Sequence, residues 1–270
     1  EDWLVGFREG VGEWVVVDPF VYSGGSEVPP ALRDIPNQNY LSRPLRAFGL
    51  SLMSLAIVLG VMTIVWVYRH RKHAILMASQ PVFLYVIACG SIVLSWAIFP
   101  VSLDESIGWS EDQLSRLCAA APWFYSVGYV TIYGALYSKL YWVNRVLQSH
   151  PQSVGFYRAV LPFAIVLALT LISLAVTTAL DPPSWEREVV DDDTGESVGR
   201  CDAGGNMITL LLMVAVTLMA CFYAWKTRDC DSAYSESYWI LILILVQVEV
   251  CIIAIPVIIL LQDVSTNGYF

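Results

Sequence analysis

The chain holds six cysteines, and their neighbours sort them by the chemistry open to them. Cys89, Cys221 and Cys251 sit within apolar runs, where a thiol packs as a small hydrophobe. Cys230 lies in a polar stretch expected to face a reducing compartment. Cys118 and Cys201 adjoin acidic connections instead. They are the only two expected on an oxidising side, which makes them the pair for a disulfide.

Three further side chains are placed where charge is expensive. Lys139 falls a turn or two inside the end of a long apolar stretch. Its ammonium either snorkels to the headgroups or pairs with a carboxylate on a neighbouring helix, as buried membrane charges do. Glu236 is the leading partner, with Asp229 and Asp231 further out. Glu249 is the one carboxylate expected near mid-membrane, and Gln247 precedes it by two residues. Ionised and unpaired, such an acid would cost roughly 2.5–3.5 kcal/mol. Gln247 and Glu249 are therefore expected to face the bundle as a polar site, with Glu249 protonated or hydrogen-bonded and a candidate ligand or proton group. His70, His73 and His150 all fall at one membrane edge. Metal-ligand spacing, Gly-x-Ser-x-Gly and an intramembrane catalytic pair are missing, so no enzyme, metal or cofactor is expected.

The elements that must position these groups are legible in the composition. With 57% hydrophobic and 14% charged residues and a mean hydropathy of +0.60, the chain departs from soluble globular proteins. Apolar runs lie at about 45–68, 80–102, 119–146, 159–180, 206–226 and 238–261, and crossing a bilayer takes roughly 20 residues. Every backbone group at membrane depth must be satisfied within its own segment, so each run is expected to be a helix. A β-barrel would show short alternating segments instead. The net charge of −9 argues against a nucleic-acid partner.

Charge in the connections orients the spans. Arg69-His70-Arg71-Lys72-His73 is short and basic, which places it in the cytoplasm. Asp104 to Arg116 carries four acids and one base and suits the outside. The third connection, with Arg145 and Arg158 and with Lys139 close by, is expected inside. Asp181 to Gly205 sets eight acids against Arg187 and Arg200 and is expected outside. The fifth, with Lys226 and Arg228 against Asp229, Asp231 and Glu236, is ambiguous by charge and falls inside by alternation. The N-terminus is thus expected to be extracellular.

Residues 1–44 read as an extracellular linker that ends an upstream domain. Trp14 to Tyr22 has the β-branched and aromatic richness of a strand, followed by a Ser23-Gly24-Gly25 turn. A disordered leader is the alternative, but Trp14, Phe20 and Tyr22 suit a solvated tail poorly. Starting at Glu1 and stopping soon after the last apolar run, the chain reads as a piece of a longer protein. Residues 262–270 would then begin an extracellular loop before a seventh helix.

The stretch from Cys118 to Leu147 organises the rest. Gly128, Gly134 and Ala135 interrupt a bulky aromatic surface, and small residues let membrane helices approach closely. It is expected to be the central helix, tethered at Cys118 and carrying Lys139 at its inner end.

Several of these features together resemble family C G-protein-coupled receptors, most of all the metabotropic GABA-B-type branch. Ala78-Ser79-Gln80-Pro81 opens the second span after a basic loop, with Gly90 following. Cys118, Trp123, Gly128, Gly134, Leu136, Lys139, Trp142 and Val143 stand in the family's order and spacing. Ser235-Glu236-Ser237 stands at the entry to the sixth span. The resemblance covers about residues 14–261. It implies an all-α, family C-type seven-transmembrane bundle of which six helices are present, preceded by a short β-like linker. It also implies a plasma-membrane receptor, a homo- or heterodimer, gated by an upstream domain that binds a small extracellular ligand. Heterotrimeric G proteins would meet the inner surface built from Arg69, Arg71, Lys72, Arg145, Arg158, Lys226 and Arg228. The family's ionic lock would here be Lys139–Glu236, and its disulfide Cys118–Cys201. The glutamate-receptor branch carries a cysteine-rich linker, whereas here no cysteine precedes Cys89. A small-solute transporter or channel subunit is the alternative, weakened by the lack of an internal repeat. A rhodopsin-like receptor is disfavoured by Lys139-Leu140-Tyr141 where an acid–arginine pair is usual.

Overall fold

A computed structural model of the chain describes residues 5–8, 13–16, 37–73, 80–148, 156–191, 196–202, 207–227, 240–247 and 249. In chain order the elements are strands β1 (Val5–Arg8), β2 (Glu13–Val16) and β3 (Asn37–Asn39), then helix α1 (Arg43–His70). Helices α2 (Pro81–Ser95) and α3 (Ile98–Val101) precede a short 3-10 turn at Glu105–Ile107. There follow α4 (Glu111–Gln148), α5 (Phe156–Leu180), strands β4 (Ser184–Asp191) and β5 (Glu196–Asp202), and α6 (Met207–Lys226). Residues 240–247 are also helical.

Among the described residues, four stretches are long and apolar enough to cross a membrane: Arg43–His70, Pro81–Val101, Tyr157–Leu180 and Met207–Lys226. Leu52, Leu55, Val58 and Met62 stay exposed along α1, as do Leu211 and Leu218 on α6. Such surfaces are stable in lipid, and the chain is a multi-pass membrane protein.

Helix α4 differs because its neighbours are protein. It packs on α2, α5 and α6, and Val130, Ala135, Ser138 and Leu140 are buried to 1% exposure or less. With protein on several sides it tolerates the Tyr, Ser and Gly that a lipid-facing helix avoids, so it falls outside the four most apolar stretches. Its core contacts join Tyr133, Tyr137 and Leu140 to Met213, Val216 and Ala220 of α6 and to Leu241 and Ile244. Gly128 makes the α2 contact possible: a Cβ there would lie 2.5 Å from the Leu94 backbone nitrogen. At Gly134 it would run into the Phe163 ring of α5.

Two helices depart from the bounds of the apolar runs, each for a local reason. The helix that carries the third apolar run starts ahead of it, at Glu111. Ser110 and Gln113 form half of a capping box, the Ser110 N–H donating to Gln113 Oε1 at 3.2 Å. Glu111 and Asp112 then fill the first turn, where negative charge suits the helix dipole. The run 80–102 is not one helix: α2 stops at Ser95 and α3 resumes at Ile98. Pro100 has no N–H to give the Trp96 carbonyl, and its ring crowds that carbonyl.

The acidic connection after α5 folds into an antiparallel hairpin, pairing Ser184↔Asp202 through Glu188↔Val198. Strand β3 adds to it in parallel, with Asn37↔Glu196 and Asn39↔Val198, giving the order β3-β5-β4. Strands β1 and β2 form a separate antiparallel pair. The strand expected at Trp14–Tyr22 overlaps β2 as far as Val16, and its remainder lies outside the described residues.

Candidate functional site

The disulfide end of the bundle is built by three segments meeting over the top of α4. Cys118 and Cys201 are bonded, with Cα atoms 5.5 Å apart, so β5 is fixed to the second turn of α4. The Trp185 backbone N–H donates to Ser115 Oγ at 3.1 Å, a second tie between hairpin and helix.

Around that bolt runs a polar cluster. Arg46, one turn into α1, pairs with Asp104 at 2.6 Å, and the two side chains are 13% and 8% exposed. Asp104 also accepts the Leu41 N–H at 2.9 Å and the Ser106 N–H at 3.0 Å. Next to it, Glu105 accepts the Trp185 indole N–H and Arg187 Nε, both at 2.8 Å. Burial alone would raise the Glu105 carboxyl, but those bonds and the Arg187 charge outweigh it and hold its pKa below the ordinary value. Arg187 Nη1 donates to the Ser197 carbonyl and hydroxyl at 3.2 and 3.0 Å, and the guanidinium lies 5.2 Å from the Tyr40 ring centre. Linker, α1, second connection and hairpin are thereby tied into one unit.

Along α4 the bundle is seamed by side chains. Trp123 Nε1 donates to Thr178 Oγ1 of α5 at 3.1 Å, and Tyr129 shares a 2.7 Å hydrogen bond with Thr217 of α6. Tyr223 of α6 stands edge-on to both Tyr137 and Tyr141, at 5.3 and 5.4 Å. An open apolar cavity of about 860 Å³ lies below the disulfide, walled by Leu94, Ile98, Tyr125 and Met213.

At the opposite, basic end, Lys139 is buried at 7% exposure beside fully buried Ser138, and Asn144 is buried one turn on. Its expected partner Glu236, with Asp229, Asp231 and Arg228, lies outside the described residues. Arg69, Arg71 and Lys72 are exposed at the end of α1, Arg158 near the start of α5 and Lys226 at the end of α6. Arg71 lies over the Tyr68 ring at 4.7 Å. Arg145 falls in the last turn of α4. These bases share one end because the helices alternate in direction. Gln247 and Glu249 are exposed among the described residues. The buried face of that helix is taken by Leu241 and Ile244, which pack on α4 and α6. Among the described residues no cluster of His, Cys, Asp or Glu is placed to hold a metal ion.

Sequence reasoning used Asp104, Glu105 and Arg187 only as charges for topology and passed over Arg46. A signal was present: Arg43 and Arg46 stand at the end of α1 away from the basic loop, against the usual bias of positive charge. An arginine there asks for an acid, and Asp104 follows the next span.

Comparison with known proteins adds a family-level likeness. The family model described as the seven-transmembrane sweet-taste receptor of class 3 G-protein-coupled receptors matches residues 40–268. Gamma-aminobutyric acid type B receptor subunit 2 of Rattus norvegicus is 25% identical over 243 residues, 83% of this chain. Subunit 1 of the same receptor type from Mus musculus is 26% identical over 178 residues, 63% of this chain. Metabotropic glutamate receptor-like protein G of Dictyostelium discoideum is 23% identical over 222 residues, 76% of this chain. The chain spans 26%, 18% and 27% of those relatives' lengths, respectively.

Proposed function

Because the chain belongs to family C of the G-protein-coupled receptors, we propose that it relays ligand binding in an upstream extracellular domain to heterotrimeric G proteins. It does so at the plasma membrane, with its N-terminal linker outside and its basic end in the cytoplasm. It works as one half of a homo- or heterodimer, a reading supported by the likeness to both GABA-B subunits. The family match gives the transporter or channel reading no support.

The observation that carries this reading is the unbroken path from linker to α4. Strand β3 hydrogen-bonds to β5, β5 is bonded through Cys201 to Cys118, and α4 leads from Cys118 to buried Lys139. At 1.5 Å per residue that helical leg is roughly 30 Å long, about the thickness of the hydrocarbon core. A displacement of the linker therefore has a stiff route to the far face. There Lys139 and Glu236 form a latch that holds the inactive arrangement, and its release opens between the inner loops the surface that carries Arg69, Arg71, Lys72, Arg145, Arg158, Lys226 and Arg228 for the G protein. Such a latch biases a two-state equilibrium without deciding whether the protein folds.

The test is agonist-independent G-protein activation by the full-length receptor, read by energy transfer between labelled G-protein subunits. Lys139→Ala and Glu236→Ala are each expected to raise it severalfold at equal surface expression. Unchanged activation in both removes the latch. Failure of every variant and of the parent to engage any G protein removes the receptor function.

A further inference from the structure

The polar cluster at the disulfide end encloses a second cavity, of about 570 Å³, within the size range of small-molecule sites. Its floor is apolar, formed by Leu45 of α1 with Val101 and Leu103 behind α2. One wall is the linker at Tyr40–Ser42 and the other the hairpin at Trp185 and Val198. Gly199 belongs to that wall because the Trp185 indole occupies the place of a Cβ. Charged side chains line it at three points, Asp104, Arg187 and Arg200.

Those charges discriminate between ligands. Both Asp104 oxygens are already engaged, by Arg46, by Ser106 and by the Leu41 N–H, which leaves little for a cationic head. Arg187 uses Nε on Glu105 and Nη1 on Ser197. Its Nη2, with two N–H groups, meets no acceptor among the described residues. Arg200 adds a second positive charge to the lining. An anionic oxygen is what completes an arginine fork, through short charge-assisted bonds.

We propose that this cavity binds a single-chain amphiphile, its apolar chain on Leu45, Val101 and Leu103 and its carboxylate or phosphate head on Arg187. Such a ligand touches the linker, the first helix and the hairpin at once, so it stiffens the contact between them. The inference concerns binding and is independent of G-protein coupling.

The test uses the full-length protein in phosphatidylcholine nanodiscs and a sixteen-carbon fatty acid carrying a chain diazirine. Adducts mapped by peptide mass spectrometry are expected at residues 40–45, 101–103 and 185–201. The methyl ester of the probe, which lacks the charge, is expected to label lipid-facing α1 but not this cavity. Leu103→Trp, which fills the floor, and Arg187→Lys, which keeps a cation for Glu105 but lacks Nη2, are each expected to cut cavity labelling at least fivefold. Val198→Phe serves if Leu103→Trp does not reach the membrane. Displacement by palmitate alone assigns a carboxylate ligand, and displacement by lysophosphatidic acid admits a phosphate head. Displacement by neither, equal labelling by the ester, or adducts confined to lipid-facing surfaces overturns the proposal.

Discussion

Arg187 Nε and Glu105 Oε2 stand 2.8 Å apart across 82 positions of sequence, and the Trp185 indole holds the other oxygen of the same carboxylate. This contact joins the hairpin to the second connection, and it depends on Glu105 being ionised. A carboxyl whose pKa is lowered by folding contributes stability that is fully present above its unfolded value, here 4.5, and lost as pH falls through the native value. The melting temperature of the purified protein is therefore expected to fall below about pH 4.5 more steeply than that of Glu105→Gln. A constant difference between the two proteins across the whole range would assign the titration to another group.

Asp104 should matter more than Arg46, although they form one ion pair. Removing either leaves a poorly solvated charge, which costs about 3–5 kcal/mol at fully buried sites and less where water reaches. Asp104→Ala additionally strips acceptors from the Leu41 and Ser106 N–H groups. The expected order of thermal stability is wild type, then Arg46→Ala, then Asp104→Ala. The reverse order would mean that the backbone bonds are carried by water.

Gly128 and Gly134 should respond differently to the same added methyl group. At Gly128 it meets the Leu94 backbone, which cannot turn aside, whereas at Gly134 it meets a phenylalanine ring that can. Overpacking costs about 1–3 kcal/mol, and Gly128→Ala is expected at the upper end with Gly134→Ala below it. Surface expression and melting temperature measured side by side check the order.

The disulfide closes 83 positions of chain, and a loop of that size is worth on the order of 4 kcal/mol by chain entropy. Cys118→Ser and Cys201→Ser are each expected to lower the melting temperature substantially. The double variant should be no worse than the poorer single one, because the two thiols act only as a pair. Additive losses would show that each sulfur has separate packing work.

The apolar runs were legible because lipid imposes a length and a composition on whatever crosses it, and α1, α5 and α6 follow that rule closely. The Cys118–Cys201 bond was legible because sidedness leaves those two cysteines together. The break at Trp96 was not read, although Pro100 is its cause, since hydropathy is blind to a missing donor. Ser110–Gln113 was missed in the same way: counting charge hid a capping signal. The hairpin at Ser184–Asp202 was obscured by its own acids, which drew attention to topology rather than to Trp185, Val189 and Val198. Leu241 and Ile244 pack on α4 and α6, a pairing that an apolar run without a polar marker does not announce. Arg46, Asp104 and Arg187 are joined by tertiary geometry that spacing alone does not reveal.

The parallel register of β3 on β5 sets an order of events during synthesis. Every helix from α1 to α5 is threaded between those two strands, so Asn37–Asn39 emerges from the ribosome long before its partner exists. Its edge waits unpaired until the chain has crossed the bilayer several times, since contacts so distant in sequence close late. The sheet can therefore close only if the spans between the two strands leave both strands on the same side of the bilayer.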